Sequence, residues 1–193
     1  MSEPNKPALR AADKIRETAR ELFYREGIRA VGVDEIVAKA GATKPSLYRA
    51  YKSKDELAAA VLREGADTFW GRFETAVEAH PGDPRAQVLA FLEGLAERAR
   101  QPEYRGCPLS NAAVEYPEAG HPARLTAQDF KTQVRARLRG MAAEMGADDP
   151  HGLADALLLV FEGAYLSSQL FDDDRPTAEA PRAAARLIDA YTR

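Results

Sequence analysis

Between residues 43 and 54 the chain sets Thr43, Lys44, Pro45, Ser46, Tyr48, Arg49, Lys52 and Lys54 within a dozen positions. Lys44, Arg49, Lys52 and Lys54 are cations, Thr43 and Ser46 carry hydroxyls, and Tyr48 offers a phenol and a flat face. Such groups hold phosphate oxygens by charge and hydrogen bond, and the longer ones reach base edges in a major groove. A solvated basic helix with a half-buried tyrosine has the same composition, so the elements that would position these groups carry the next step.

Apolar residues Ile15, Ala19, Leu22 and Phe23 recur at helical spacing, and Gly27 ends that helix. Ile36, Val37 and Ala40 mark a short second helix stopped by Gly41, and a third is expected from Thr43 to about Tyr51. The turn Ala40-Gly41-Ala42 joins them as a helix-turn-helix resting on the first helix. Thr43 is placed to cap the third helix, and Pro45 is tolerated in a first turn where its missing N–H has no partner. Leu47 and Tyr51 then face the support, leaving Lys44, Ser46, Tyr48 and Arg49 outward. Lys52 and Lys54 add phosphate-directed charge where the fourth helix opens. Ser53 and Glu56 have the spacing of a capping box at that opening.

The rest of the chain also reads as helix. Period-2 alternation of β-branched residues is nearly absent, and prolines divide long stretches rich in Ala, Leu, Glu and Arg. The expectation is an all-α protein of about nine helices. Its expected parts are a flexible tail over 1–10, a three-helix helix-turn-helix domain over 11–53, and a larger helical ligand-binding and dimerisation domain over 54–193. In the eighth helix, at about 151–171, Leu157 to Phe161 are consecutive and surround the axis. A helix apolar on every side is buried on every side, either at the centre of the domain or against a copy of itself. With the ninth helix, at about 178–192, it suggests a homodimer through a four-helix interface.

Charge separates the same two regions. The chain carries a net −3, yet residues 1–54 hold 12 Lys and Arg against 7 Asp and Glu, while the remainder holds 15 against 23. Only the front suits a polyanion. A single cysteine, Cys107, excludes an internal disulfide and fits a reducing cytoplasm. The first ten residues lack an apolar core of signal-peptide length, and no run approaches the length that spans a bilayer.

The segment from Ile15 to Leu62 closely resembles the N-terminal domain of the TetR family of transcriptional repressors. The matching residues are Ala19, Leu22, Phe23 and Gly27, then Val33, Ile36, Ala40, Gly41 and Thr43, then Leu47, Tyr48, Tyr51, Lys54 and Leu57. The resemblance implies a three-helix DNA-binding domain joined by the fourth helix to a ligand-binding and dimerisation domain. It also implies that Thr43, Lys44, Ser46, Tyr48 and Lys54 touch DNA. Two positions depart from the family pattern. Gly32 stands where members commonly cap the second helix with Thr or Ser, so it offers no hydroxyl to a phosphate. Tyr51 replaces the usual Phe. The stretch RGCPLSNAAVEYPEAGHPAR at 105–124 is similar to one in a subset of these regulators.

Together these features lead to a homodimeric repressor that leaves a near-palindromic DNA operator when a small apolar or amphipathic effector binds. The alternative is a regulator whose rear domain only dimerises. Mid-helix candidates for the effector site are Trp70, Phe73, Phe91, Leu95, Cys107, Asn111, Phe130, Val134, Phe161 and Tyr165, with Trp70 the leading one because it lies halfway along the connecting helix. Cys107 has only Arg105 and Glu103 as charged neighbours in sequence, which points to a packing thiol. No nucleophile–base pair, paired carboxylates or phosphate-binding glycine loop is present, and His80, His121 and His151 are far apart in sequence beside Pro81, Pro122 and Pro150. No enzyme activity, cofactor or metal site is therefore expected.

Overall fold

Short polar residues and prolines set where the helices begin. Thr43, Ser53, Asp83 and Asp149 each accept a bond at their side chain from an N–H of the first turn that follows, which no helical carbonyl can reach. Pro45, Pro84, Pro108, Pro122 and Pro150 occupy the first turns, where a missing donor costs nothing. The prolines that end one helix thus also start the next. At Ser53 half of the capping box forms, Glu56 N donating to Ser53 Oγ, while Glu56 Oε2 accepts from Lys52 N at 2.7 Å, one residue before the expected partner.

The structure is a computed structural model that describes residues 11–171 and 173–193. Its helices are α1 (Ala11–Glu26), α2 (Val33–Lys39), α3 (Lys44–Ala50), α4 (Lys54–Ala79), α5 (Pro84–Ala99), α6 (Pro108–Glu115), α7 (Pro122–Glu144), α8 (Pro150–Leu170), α9 (Arg175–Ala178) and α10 (Ala180–Tyr191). The fold is all-α, as expected. The single turn α9 runs almost directly into α10, so the pair corresponds to the one expected ninth helix. The tail expected over 1–10 lies outside the described residues.

Ile15, Ala19, Leu22 and Phe23 of α1 are buried, and α2 and α3 pack on this stripe through Ile36 and Leu47, both wholly buried. α4 leaves the helix-turn-helix through buried Leu57, Ala58 and Val61, then packs on α5 and α7. Between them lies an aromatic core. Phe69 meets Trp70, Phe91 and Phe130 edge-on at 5.3, 5.0 and 4.9 Å between ring centroids, and Phe91 stacks on Phe161 at 5.2 Å. Such contacts add about 0.5–1.5 kcal/mol per pair beyond area burial.

α8 packs on α5, α7 and α10. Of its consecutive apolar run, Leu157 and Phe161 are buried, Leu158 and Val160 half-buried, and Leu159 is 73% exposed. Within one chain the helix is therefore covered on all sides but one. That side carries Leu159, Gly163, Leu166 and Leu170, spaced four, three and four residues apart.

Leu47 holds α3 by one fully buried side chain. Leu47→Ala is expected to lower stability by about 2–5 kcal/mol, read as a lower urea midpoint, and to abolish DNA binding.

Candidate nucleic-acid interface and ligand cavity

The turn before α3 and the residues beyond it place the basic cluster on one outer face. Gly41, with φ +59, makes the left-handed step between α2 and α3 that an L side chain resists. Thr43 accepts from Ser46 N at 3.3 Å, and its hydroxyl lies 2.9 Å from that of Ser46. With Leu47 turned inward, Thr43, Lys44, Pro45, Tyr48, Arg49 and Lys52 are exposed and Ser46 is half-buried. Tyr48 is one half exposed, although it is among the larger apolar groups of the chain. Lys44 pairs with Asp34 of α2 at 2.7 Å in open solvent, which raises its affinity for its proton. An exposed pair of this kind contributes little to stability and leaves the ammonium within reach of a phosphate.

Lys54 plays a different part from the one its charge suggests. Its ammonium donates to the carbonyls of Ile28 and Val31 at 2.8 and 2.9 Å. The turn between α1 and α2 leaves those oxygens without helical partners, and Lys54 satisfies them from the first residue of α4. Gly32 has extended backbone and no side-chain cap, so the cap that the family pattern places there is absent. Tyr51 ends α3 half-buried.

A second feature lies behind this face. A cavity of about 1100 Å³ is walled by the end of α1 and the following turn, by α4, by α5 and the loop after it, and by α6 and α8. Phe23, Val61, Leu62, Phe69, Phe91 and Leu109 form its apolar wall, and Tyr24, Arg72, Arg98, Tyr104 and Tyr165 its polar one. Four of the effector-site candidates, Phe91, Cys107, Asn111 and Tyr165, line it. Trp70, Phe73 and Phe161 do not, nor do Leu95, Phe130 and Val134: they pack in the hydrophobic core, where Trp70 meets Phe69 and Phe73 edge-on. Position along the connecting helix singled out Trp70, but helix rotation turns Phe69 and Arg72 to the cavity instead.

Arg98 and Tyr24 escaped the sequence reading, and each left a trace. Phe91, Leu95 and Arg98 stand at i, i+4 and i+7, which sets a cation on the apolar face of an amphipathic helix. Tyr24 follows the last buried residue of α1. Cys107 is buried, and the fold brings to it a neighbour that sequence proximity did not reveal, Lys131 Nζ at 3.5 Å from Sγ. Lys131 pairs in turn with Glu162, which also accepts from Ser110. Among the described residues no group of His, Cys, Asp and Glu is arranged to hold a metal ion, and no helix is long and apolar enough to cross a membrane.

The cavity and the basic face share a joint. Glu115, the last residue of α6, accepts Arg29 N at 2.9 Å through its carboxylate and Arg29 Nη1 at 2.9 Å through its carbonyl. Gly27, with φ +91, turns the chain so closely over Glu115 that a Cβ would lie 3.2 Å from the carboxylate. The Tyr24 hydroxyl accepts from Arg105 N at 2.7 Å and donates to Gly106 O at 3.3 Å. His121 stacks on Tyr116 at 3.7 Å and reaches Asp55 of α4 at 3.5 Å.

Residues 15–61 match the model for bacterial regulatory proteins of the tetR family, and residues 84–184, more than half of the chain, match the C-terminal domain of tetracyclin repressor-like proteins. This chain belongs to the TetR family. A TetR-family transcriptional regulator from Streptomyces coelicolor superposes with a TM-score of 0.89 at 26% identity, over 95% of this chain and 96% of that one. A second TetR-type regulator, from Streptomyces avermitilis, does so with a TM-score of 0.83 at 32% identity, over 95% and 98%.

Among curated relatives, the transcriptional regulator AcuR of Cereibacter sphaeroides is 30% identical over 78% of this chain and 72% of its own length. The transcriptional repressor KstR2 of Mycolicibacterium smegmatis is 33% identical over 48% of this chain, a match that spans 42% of KstR2. The transcriptional activator FasR of the same organism is 47% identical over 40% of this chain and 35% of its own length. The TetR chain described here is thus a DNA-binding transcriptional regulator.

Two kinds of lysine are separable in solution. Lys44→Ala and Arg49→Ala are each expected to reduce the slope of log affinity against log salt by about one, with the fold intact. Lys54→Ala is expected to lower stability by about 1–3 kcal/mol through two orphaned carbonyls and to leave that slope unchanged. Gel shifts at several salt concentrations, with urea melts of the same variants, check both.

Proposed function

We propose that the protein is a homodimeric repressor that binds a near-palindromic operator through two copies of α3 and leaves it when a small effector fills the cavity. Residues 11–53 form the DNA-binding part, with Thr43, Lys44, Pro45, Ser46, Tyr48, Arg49 and Lys52 at the duplex, and residues 54–193 the ligand-binding and dimerising part. The observation that carries this reading is the cavity wall: α1, which props α3 from within, lines the same cavity as α5 and α8. A ligand there meets the support of the recognition helix directly.

The unpaired apolar stripe of α8 supports the dimer. Leu159, Leu166 and Leu170 are 73%, 60% and 65% exposed, and Phe171 continues the patch. α10 flanks α8 but turns Arg182, Arg186 and Asp189 outward, so α8 supplies the apolar centre and α10 the polar rim. Two-fold pairing sets the recognition helices about 34–36 Å apart, one turn of duplex. An effector that favours another spacing shifts operator affinity by a coupling of about 1–3 kcal/mol. A cavity of about 1100 Å³ favours this reading over a rear part that only dimerises. Repression is the ordinary outcome of occupying a promoter; activation needs only a different operator position. The protein acts in the cytoplasm, where the DNA is, and without enzymatic turnover.

Gel shifts on the DNA upstream of its own gene are expected to show tight, strongly salt-dependent binding of two chains per site; salt-insensitive binding, or none to that region or to any site selected from genomic DNA, refutes the reading. Leu159→Glu with Leu166→Glu is expected to convert dimer to monomer in light scattering after gel filtration and to weaken operator binding at least tenfold.

A further inference from the structure

Arg98 has no ion-pair partner among the described residues; the carboxylate that acts on it is the exposed Glu97 next to it in the chain. The Arg98 Nε is buried with no hydrogen-bond partner among the described residues. None of the ion pairs among those residues includes Arg98 or Arg72. Burial, and next the like charge of Arg72, weaken the hold of Arg98 on its proton. A guanidinium nevertheless stays ionised at physiological pH, and the half-buried Arg98 holds that charge with its Nε out of solvent and unbonded. The acids on the cavity wall do not relieve it. Glu64 is held by Arg16, Glu26 by Lys39 and Glu115 by Arg29, while Glu21 and Glu103 sit exposed at the rim.

The surroundings of Arg98 are shaped for a ligand. Gly94, one turn earlier on α5, leaves room for the guanidinium, since a Cβ there would lie 3.1 Å from Nη1. Arg98 lies over the Phe91 ring at 5.8 Å, which sets its charge against the apolar wall. Tyr104 and Tyr165 stand within its field, and their hydroxyls make no hydrogen bond to the described residues. Burial pushes both phenols well above the ordinary tyrosine range, so they remain donors. The half-buried Arg98, the exposed Arg72 and two neutral O–H donors lie within one another's field on the cavity wall, which continues as an apolar surface over Phe91 and Leu109.

We infer that the cavity binds an amphipathic carboxylate, its head on Arg98 and Arg72 with Tyr104 and Tyr165, and its apolar body along Phe91 and Leu109. The guanidinium fork matches a two-oxygen head, which an alcohol or an amine does not supply. The inference rests on the proposal that this cavity is the effector site, and adds the chemical class of the effector.

Octanoate, 1-octanol and octylamine share one body and differ only in the head. Their affinities are to be measured by calorimetry on the full chain, with 4-phenylbutyrate and 4-phenyl-1-butanol as an aromatic pair. The expected result is at least tenfold tighter binding of each carboxylate than of its alcohol, and the weakest binding by the amine. Arg98→Met is expected to erase the carboxylate advantage while the alcohol binds as before, and to leave the ligand-free melting temperature unchanged or higher. A merely structural arginine would lower that temperature. Should Arg98→Met not fold, Arg72→Met and Tyr165→Phe carry the same comparison, each expected to reduce the advantage severalfold. Equal binding of acid and alcohol, failure of every probe to bind, or an advantage that survives these variants overturns the inference. Carboxylate binding that leaves operator affinity unchanged upholds the inference and refutes effector-driven release instead.

Discussion

A seven-residue helix has no stability of its own in water, because nucleation costs more than two turns of hydrogen bonding return. α3 is such a helix. It exists because Leu47 is buried on α1, because Thr43 and Pro45 shape its first turn, and because Gly41 lets the chain reverse before it. Everything proposed for the duplex follows from that dependence. The side chains that reach outward are rigid only so far as α1 is rigid, and whatever moves α1 moves them.

α1 is held from two directions. Lys54 ties the turn after it to the start of α4, and Glu115 ties the same turn to the end of α6 through both its carboxylate and its carbonyl. Tyr24 adds a third tie to the loop that precedes α6. These are polar contacts across a seam, in contrast to the aromatic core behind it. Each such contact contributes little when one partner is exchanged for another, although a carbonyl left with none costs about 1–3 kcal/mol. The core resists deformation and the seam permits it, which is the division that the proposed release by an effector needs.

Much of this was legible in the sequence because the signals are local. Thr43 and Ser53 are caps whatever the tertiary context, Leu47 lies on the only apolar face of its helix, and Tyr48 must then point away. The family pattern added the positions proposed to meet DNA. What could not be read is the rotation of long helices against one another. On α4, Phe69, Trp70, Phe73 and Val77 are all large and apolar, and periodicity alone does not say which line a cavity and which fill a core. The role of Lys54 was hidden because its partners are carbonyls, which every residue has. The partner of Cys107 was hidden because Lys131 lies 24 residues away. Arg98 was the one departure from pattern that pointed to the cavity, a cation where the helix spacing asks for an apolar residue.

Tyr165 and Leu166 are neighbours on α8, and both lie on the cavity wall, yet Tyr165 is buried while Leu166 is 60% exposed. One turn of helix therefore touches the interior on one side and the unpaired apolar stripe on the other. If that stripe joins two copies as proposed, a molecule entering one chain presses on the seat of its twin. Occupancy of one chamber would then be felt at the other, and the controlled genes would not respond to dose as they would to two independent sites.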